Sequence, residues 1–296
     1  MDTRSLQLFL SLSETLHFGR SSEACHISPS TLSRTLKQLE ESLGVQLFER
    51  DNRTVTLTHE GRLFQQYARE ALAQWDLIRN SLLAEAAELH GEISMYCSVT
   101  ASYSFLYEIL SRFRHDYPRI EIKLHTGDPD QSIARALAGD EDIAIAARPD
   151  SLPAGLDFKP IAASPLLFIA PQGDLGFALP PAGESAAEHW SDVPMILPEG
   201  GVARDRVDEW FRAIGIRPHI YAQIAGNEAI VSMVSLGFGI GVVPRLVLEN
   251  SPLAERVQIL DARPELAPLE VGLFALERKL KNPLIQAFWA QLPGEA

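Results

Sequence analysis

Residues 18–58 read FGRSSEACHISPSTLSRTLKQLEESLGVQLFERDNRTVTLT, and this stretch decides the fold of the first part of the chain. A short helical pattern enters a polar turn, and a second helix then runs from Ser28 to a glycine stop at Gly44. A short ribbon with Arg50 and Arg53 follows. This order is typical of a winged helix-turn-helix, whose second helix fits the DNA major groove. The stretch therefore predicts a reader of DNA rather than an enzyme.

The second helix has one apolar and one polar face. Its leucines recur at spacings of three and four residues and share one side. The other side and its edges carry side chains that can hydrogen-bond to bases or phosphates, namely Ser30, Thr31, Ser33, Arg34, Lys37 and Gln38. Ser28 suits the N-cap and Pro29 the first helical position. We predict DNA contacts from all eight residues; the alternative is an ordinary solvated amphipathic helix.

The ribbon from Leu47 to Leu57 is predicted to be the wing. Asp51-Asn52-Arg53 lies between apolar segments and indicates a hairpin turn. Arg53 at its tip would enter the minor groove or hold a phosphate, and Arg50 is a second candidate DNA contact. The alternatives are an exposed surface arginine at position 53, and an ion pair of Arg50 with Glu49 or Asp51.

Length and composition are those of an ordinary soluble globular protein. The 296 residues suffice for two domains, with 46% hydrophobic and 22% charged residues. No apolar run approaches the ~20 residues of a membrane span, and the chain begins with an amphipathic helix rather than a signal peptide. Cys25 and Cys97 are the only cysteines, which argues against a structural disulfide and fits a reducing cytoplasm.

The net charge of −13 is unusual for a DNA-binding protein. Residues 1–60 carry six Lys/Arg and eight Asp/Glu, whereas residues 91–296 carry a net charge of −10. Most of the acidity therefore lies outside the proposed DNA face. Because phosphate neutralisation supplies much of the affinity for DNA, one domain whose DNA face is only weakly basic should bind poorly. We expect several DNA-binding domains to act together.

A long helix is predicted after the wing. Helices at about 4–16 and 20–25 precede the reading helix, and Thr58 caps a further helix that runs through Glu88. Apolar positions along it alternate spacings of three and four, as in a heptad seam: Gly61, Phe64, Ala68, Ala71, Trp75, Ile78, Leu82, Glu85 and Leu89. This predicts a dimer-forming linker. The alternative is a helix that packs only on its own body.

The rest of the chain alternates strands and helices. Residues 91–147 give a βαβαβ pattern, which implies a mostly parallel sheet, and a second similar unit begins near Ile161. We predict an α+β multidomain protein with a winged helix-turn-helix at 1–58, a dimerisation linker at 59–90 and a two-lobed α/β body at 91–296. Lobe I covers about 91–161 and 268–296, and lobe II about 162–267.

A ligand of such a body is expected beyond the carboxyl ends of the strands, at helix N-termini. Free amides and hydroxyls there suit a carboxylate, and Arg204 in a first helical turn suggests an anionic partner. The alternative for Arg204 is a surface pair with Asp205 or Glu199. The candidate effector-binding residues are Thr100, Ala101, Ser102, Gly127, Arg148, Gly201, Val202, Arg204 and Asn227.

Motifs for catalysis or metal binding are weak. Gly237-Phe238-Gly239-Ile240-Gly241 precedes a strand instead of opening a helix, so it fits a helix end better than a dinucleotide loop. Asp140-Glu141-Asp142 reads as a solvated loop. The residues His17, Cys25 and His26 lack metal-ligand spacing. We therefore expect no enzymatic activity, no metal and no cofactor.

The segment His17–Glu60 resembles the DNA-binding domain of LysR-type transcriptional regulators, and the linker and two-lobed body are similar to that family along essentially the whole chain. The resemblance implies a periplasmic-binding-protein-like effector domain, promoter DNA and RNA polymerase as partners, no membrane contact, and homodimers that pair into homotetramers.

A narrower resemblance rests on CSVTASYSFLYEIL, EAIVSMVSLGFGIGVVPRLVLENSP and LIQAFWAQLP. These motifs resemble activators of acetohydroxy acid isomeroreductase expression in branched-chain amino acid biosynthesis. They imply acetolactate or acetohydroxybutyrate as effector. The alternatives are a LysR-type regulator of another pathway with a different small carboxylate effector, a solute-binding protein, and an α/β enzyme.

Overall fold

The computed structural model describes residues 2–50, 54–85, 89–173, 177–181, 183 and 187–292. The chain forms two compact units, Met1–Ala86 and Ala87–Ala296. It is an α+β multidomain protein with an N-terminal winged helix-turn-helix, a long helix and a two-lobed α/β body, as predicted.

The first unit consists of three helices, a two-stranded wing and the long helix. Its elements are α1 (Thr3–Thr15), α2 (Phe18–Ala24), α3 (Pro29–Leu43), β1 (Phe48–Arg50), β2 (Val55–Leu57) and α4 (His59–Glu85). The strands β1 and β2 are antiparallel, with Arg50 opposite Val55. The Asp51–Arg53 turn and the predicted helix end at residues 86–88 lie outside the described residues.

One hydrophobic core joins these elements. Phe9 of α1 is fully buried, with its ring centroid 5.2 Å from that of Phe48 and 4.8 Å from that of Phe64. Leu32, Leu36 and Leu39 of α3 are buried in the same cluster. The leucine spacing of α3 therefore faces this core, which leaves the polar side of the helix to solvent.

The predicted seam of α4 divides into two parts. Ala68 is buried, and Phe64 and Ala71 pack against the core of the first unit. Farther along, Trp75, Ile78 and Leu82 are 51%, 55% and 67% exposed. The first turns of the helix thus serve the winged domain, while the later turns present apolar side chains to solvent.

The second unit contains ten strands within its described residues. In chain order its elements are β3 (Gly91–Cys97), α5 (Val99–Ala101), a π turn (Ser102–Leu106), α6 (Tyr107–Asp116), β4 (Ile120–Thr126), α7 (Gln131–Ala138), β5 (Ile143–Ala147), β6 (Leu156–Ser164), β7 (Leu166–Pro171), α8 (Ala187–Trp190), β8 (Pro194–Pro198), α9 (Gly201–Ala213), β9 (His219–Ile224), α10 (Asn227–Ser235), β10 (Ile240–Pro244), α11 (Arg245–Glu249), β11 (Val257–Ile259), β12 (Leu269–Leu276) and α12 (Pro283–Trp289). Short 3₁₀ turns cover Ala254–Arg256 and Lys279–Lys281.

Two five-stranded sheets define two lobes. The sheet of lobe I has the order β4-β3-β5-β12-β6, and that of lobe II the order β11-β7-β10-β8-β9. Strands β3, β4 and β5 are parallel, as expected, but β12 runs antiparallel to both β5 and β6. The sheets are therefore mixed, and the chain passes between lobes twice, before β7 and after β11.

The sequence did not predict strand β6. It contains Pro160, which has no amide hydrogen for a sheet ladder. The strand lies at the edge of its sheet, and the pairing register shifts beside this proline, between Val271 and Gly272 of β12. An edge position with a register irregularity is where a sheet tolerates proline, so only the tertiary arrangement makes this segment a strand.

Candidate functional site

The exposed side of α3 is the candidate DNA interface. Ser28 caps the helix, because its hydroxyl accepts from the Thr31 backbone N–H at 3.1 Å, and Pro29 occupies the first turn. Gly44, in the left-handed conformation, ends the helix. The same Ser28 hydroxyl lies 2.9 Å from that of Ser30 and 2.8 Å from that of Thr31, which forms a compact hydroxyl cluster.

The candidate contact residues share one surface. Ser28, Pro29, Ser30, Arg34, Lys37 and Gln38 are exposed, and Thr31 and Ser33 are half-buried. Lys37 forms a 3.7 Å pair with Glu41 in which both side chains are mostly exposed, so the ammonium group can exchange this partner for a phosphate at small cost. Arg50 lies in β1, whereas Arg53 lies outside the described residues.

Glu40 connects the helix to the wing. One oxygen of its carboxylate accepts from the backbone N–H groups of Leu47 and Phe48, at 2.9 and 3.1 Å. Thr58 then closes the wing, since its hydroxyl donates to Gln46 and accepts from the Gly61 N–H at the start of α4. These bonds hold the wing in a fixed place beside the exposed face of α3.

The candidate effector site is a cavity of about 90 Å³ between the two lobes. Lobe I contributes the turn after β4 and the end of β5, and lobe II contributes the starts of α9 and α10. Its walls are formed by Asp128, Pro129, Asp130, Ile133, Ala146, Ala147, Pro198, Gly200, Gly201, Val202, Ala203, Ile224, Gly226, Asn227 and Leu269. The site thus combines apolar walls with carboxylates and helix N-termini.

Three of the predicted effector residues line this cavity: Gly201, Val202 and Asn227. The other six are not among its lining residues, although Gly127, Arg148 and Arg204 are each next to a lining residue in the chain. Gly127 precedes Asp128 and packs against Tyr96, whose hydroxyl would lie 2.3 Å from a Cβ at this position. That hydroxyl donates to the Asp128 carbonyl oxygen at 3.1 Å. Because Gly127 has no Cβ, the Tyr96 hydroxyl can approach the backbone and hold the turn that carries Asp128 and Asp130.

The Thr100–Ser102 segment begins a helical run at the end of β3. Ser98 caps it by accepting from the Ala101 N–H, and the Ser102 hydroxyl donates back to the Val99 carbonyl oxygen at 2.7 Å. Thr100 is 7% exposed, and its N–H and hydroxyl both donate to one carboxylate oxygen of Glu228. The predicted carboxylate-binding groups of Thr100 thus hold a carboxylate of lobe II.

Two candidate arginines have protein partners. Arg204 donates from Nε to Asp208 at 2.9 Å, and from a terminal nitrogen to the Pro198 carbonyl and the Gln223 side chain. Its ion-pair partner is thus Asp208, one turn farther along α9, rather than Asp205 or Glu199. Arg148 pairs with Glu270 at 3.1 Å and lies over the Phe158 ring. These contacts place both guanidinium groups beside the cavity walls.

Asp130 has the most perturbed carboxyl group in the cavity. Burial of the carboxyl, together with the negative charges of Asp128, Asp205 and Glu199, raises its pKa to about 6 despite a hydrogen bond from the Gly200 backbone. A Cβ at Gly201 would lie 1.9 Å from its Oδ1, and Gly201 has a φ of +76°. Only glycine therefore lets this carboxylate reach the start of α9.

Sequence reasoning missed Asp130 and Glu228. The sequence predicts an effector contact at Gly127 in the turn after β4, but the role of Asp130 depends on the three-dimensional placement of α9. Glu228 reads as an acidic residue in the first turn of α10, a common and favourable position. Nothing in the sequence indicates that its carboxylate reaches across to Thr100, 128 positions away.

Metal-binding and membrane-spanning features are absent from the described part of the chain. No group of three or more His, Cys, Asp or Glu residues within it could hold a metal ion. None of the helices in these described ranges combines the length and the apolar character needed to cross a membrane.

Two protein-family models match the chain. Residues 3–62 match the family described as "Bacterial regulatory helix-turn-helix protein, lysR family", and residues 86–296 match the "LysR substrate binding domain". The HTH-type transcriptional regulator IlvY of Escherichia coli (strain K12) is 44% identical over 99% of both chains. The HTH-type transcriptional activator IlvY of Haemophilus influenzae is 40% identical over 99% of this chain and all of that relative.

Solved structures of similar fold cover nearly the whole chain. Full-length OxyR of Pseudomonas aeruginosa aligns with a TM-score of 0.70 at 23% identity, over 98% of this chain and 94% of that one. CbnR, a LysR family transcriptional regulator, aligns with a TM-score of 0.66 at 22% identity, over 98% of both. A complex of full-length CbnR with its target DNA gives a TM-score of 0.65.

Proposed function

Because the chain belongs to the LysR family of bacterial transcriptional regulators, we propose that it activates transcription from promoter DNA in response to a small carboxylate. The observation that carries this proposal is the exposed polar face of α3, with Arg34 and Lys37 on a helix capped by Ser28. Its relatives are regulators and not enzymes. We place its action in the cytoplasm, on promoters served by RNA polymerase.

The DNA contacts come from α3 and the wing. We assign base contacts to the first turns of α3, where Ser30, Arg34 and the Ser28 cap stand together, and phosphate contacts to Lys37 and the wing arginines Arg50 and Arg53. Arginine suits bidentate recognition of guanine, whereas lysine acts as a point charge on phosphate.

Oligomerisation compensates for the weak charge of one DNA-binding unit. The apolar stripe on α4, formed by Leu63, Tyr67, Trp75, Ile78 and Leu82, is exposed in the single chain. A second copy that covers it would place two α3 helices on two half-sites of an operator. We propose a homodimer through α4, and a homotetramer formed from two such dimers.

The effector proposed is acetolactate or acetohydroxybutyrate, and the target the isomeroreductase gene of branched-chain amino acid biosynthesis. Similarity to the IlvY regulators along 99% of the chain supports this choice. The cavity supports it too, because helix N-termini suit a carboxylate and the walls at Ile133, Val202 and Leu269 suit short alkyl groups. A different small carboxylate of another pathway is the second candidate.

The DNA assignment is tested with Arg34→Ala. Its loss should weaken binding to the operator by about 1–3 kcal/mol and relax the preference at one base pair, provided that it contacts a guanine. Arg217→Ala removes an exposed arginine of lobe II and is the charge-matched control. Fluorescence anisotropy on the operator and on single-base variants measures both effects, and an unchanged affinity and footprint would remove Arg34 from the interface.

The effector assignment is tested by the thermal stability of the full chain with a panel of acids. Acetolactate and acetohydroxybutyrate should raise the midpoint, since a ligand that binds only the folded state stabilises it. Valine and isoleucine serve as pathway controls. A response to other carboxylates alone would favour the second candidate.

A further inference from the structure

A carboxylate of lobe II holds the groups of lobe I that a ligand carboxylate would use. Glu228 Oε1 accepts from the Thr100 hydroxyl at 2.5 Å and from the Thr100 backbone N–H at 3.1 Å. Thr100 is buried, so water does not readily replace this acceptor. The rest of Glu228 is exposed to solvent, so its contact with Thr100 is made through the carboxylate.

The position of this carboxylate is electrostatically favourable at two helix ends. It belongs to the first turn of its own helix, α10, where the macrodipole stabilises an anion. It also faces the beginning of the helical run that starts at Val99 and continues through the π turn into α6. Two helix N-termini therefore meet at this point, an arrangement that also suits the carboxylate of a bound acid.

Two further contacts join the lobes. Asp130 of lobe I lies against Gly200 and Gly201 at the start of α9 in lobe II. Asn250 of lobe II donates to the Ser104 hydroxyl of lobe I at 3.1 Å. Each lobe therefore extends one carboxylate to the start of a helix in the other lobe.

We propose that Glu228 is an internal competitor of the effector, and that a carboxylate ligand reaches Thr100 only by displacing it. The inference rests on the proposed effector function of this cleft. Displacement replaces a bond between lobes by a bond to the ligand, so binding is coupled to the arrangement of the lobes. Glu228 then loses the two hydrogen bonds that Thr100 donates to it. A hydroxyl group next to the ligand's carboxylate would donate a new hydrogen bond to Glu228.

This exchange defines the class of ligand. The displaced carboxylate of Glu228 and the carboxylates of Asp128 and Asp130 repel a second negative charge on the ligand. The ligand must therefore carry a single negative charge, and it must offer a hydroxyl donor to the displaced Glu228. A 2-hydroxy monocarboxylate meets both requirements. A dicarboxylate such as succinate fails the first requirement, and a plain keto acid such as pyruvate fails the second.

The contact itself is tested without any ligand, by hydrogen exchange of the full-length protein. In Glu228→Ala the Thr100 amide loses its acceptor and should exchange at least about tenfold faster, since protection depends on that bond. Glu255→Ala, which removes an exposed glutamate elsewhere in lobe II, should leave the Thr100 amide unchanged. Equal exchange of this amide in wild type and Glu228→Ala would overturn the contact.

The competition is tested by calorimetric titration with acetolactate, pyruvate and succinate. Glu228→Gln keeps the shape of the side chain but removes its charge, and Glu255→Gln is the matched control. We expect Glu228→Gln to bind pyruvate and succinate about tenfold more tightly, a change of ~1.4 kcal/mol, and to lose most of its preference for acetolactate.

Two outcomes distinguish a failure of the competition by Glu228 from a failure of the proposed effector binding. Acid affinities that are equal in wild type and Glu228→Gln, or lower in the variant, would overturn the competition and leave the effector class intact. Binding of no acid to any of the proteins would contradict the effector class and the competition together, while the exchange of the Thr100 amide would still decide whether the interlobe contact exists.

Discussion

At the scale of single residues, the cleft places like charges close together. Asp130 faces Asp128, Asp205 and Glu199, and it reaches the start of α9 only because positions 200 and 201 are glycines. One backbone N–H donor does not offset burial and three neighbouring carboxylates. The result is a carboxyl group that ionises near pH 6 in the folded protein, within the range where a modest change in surroundings alters its charge.

Asp130→Asn should therefore stabilise the protein at neutral pH. The folded pKa of about 6 lies above the usual 3.8, so the stabilising contribution of the protonated group is complete below the usual pKa and is lost as the pH rises through 6. Because the Asp130 carboxyl is only partly buried and the residue remains accessible to solvent, we expect a gain of about 1 kcal/mol at pH 8, reduced by screening from the full shift.

The measurement is urea unfolding of wild type and Asp130→Asn at pH 8 and at the lowest pH where both remain folded. The two proteins should converge as the pH falls below 6. Asp192→Asn, which removes an exposed carboxylate of lobe II outside the cavity lining, controls for net charge. A stability difference that is independent of pH would contradict the raised pKa of the Asp130 carboxyl.

At the scale of elements, α4 has two different environments along one helix. Ala68 and its neighbours complete the winged-domain core, while Trp75, Ile78 and Leu82 remain exposed. Contiguous exposed apolar side chains on a soluble protein mark an interaction surface. The helical spacing of this stripe suits a partner helix, which is why we assign it to a second copy of the chain.

Ile78→Asp should separate the proposed dimer. Ile78 is 55% exposed, and burial of an isoleucine side chain stabilises by about 1.5–3 kcal/mol. A symmetric interface loses this contribution twice and gains two buried charges, so the dissociation constant should rise at least about a hundredfold. Sedimentation equilibrium measures it. Ala73→Asp, on another side of α4, is the control, and equal association of all three proteins would assign the dimer to another surface.

At the scale of the whole molecule, the distribution of charge favours binding to DNA by more than one DNA-binding unit. The chain carries a net charge of −13, and residues 1–60 are themselves slightly acidic. A single reading helix offers few cations to the phosphates, so its affinity should be low at physiological salt. Two copies joined through α4 double the phosphate contacts and add the effective concentration of a linked site.

The number of copies bound to the operator can be measured from the salt dependence of the binding affinity. Each neutralised phosphate contributes a slope of about −0.9 to a plot of log affinity against log salt concentration. Lys37→Ala should make the slope shallower by about 2 if two copies bind the operator, and by about 1 if one copy binds. Lys123→Ala, in lobe I, should not change it. An unaltered slope in Lys37→Ala would exclude phosphate contact by Lys37.

The sequence by itself determined the family and most of the elements, including every described helix and strand of the winged domain. Ser28, Pro29 and Gly44 define the ends of α3 through local backbone chemistry, and the leucine spacing defines its buried face. Such signals act over a few residues, so they can be read directly. The resemblance to LysR-type regulators rests on the same short motifs, and the family matches over residues 3–62 and 86–296 confirm it.

The tertiary structure alone decided which distant groups meet. Strand β6 exists because β12 pairs with it at a sheet edge, and Glu228 reaches Thr100 because two lobes built from separate segments close on one cavity. Likewise, the burial of Ala68 and the exposure of Ile78 distinguish two halves of a seam that is continuous in sequence. Long-range proximity depends on how sheets and helices pack, and no local pattern records it.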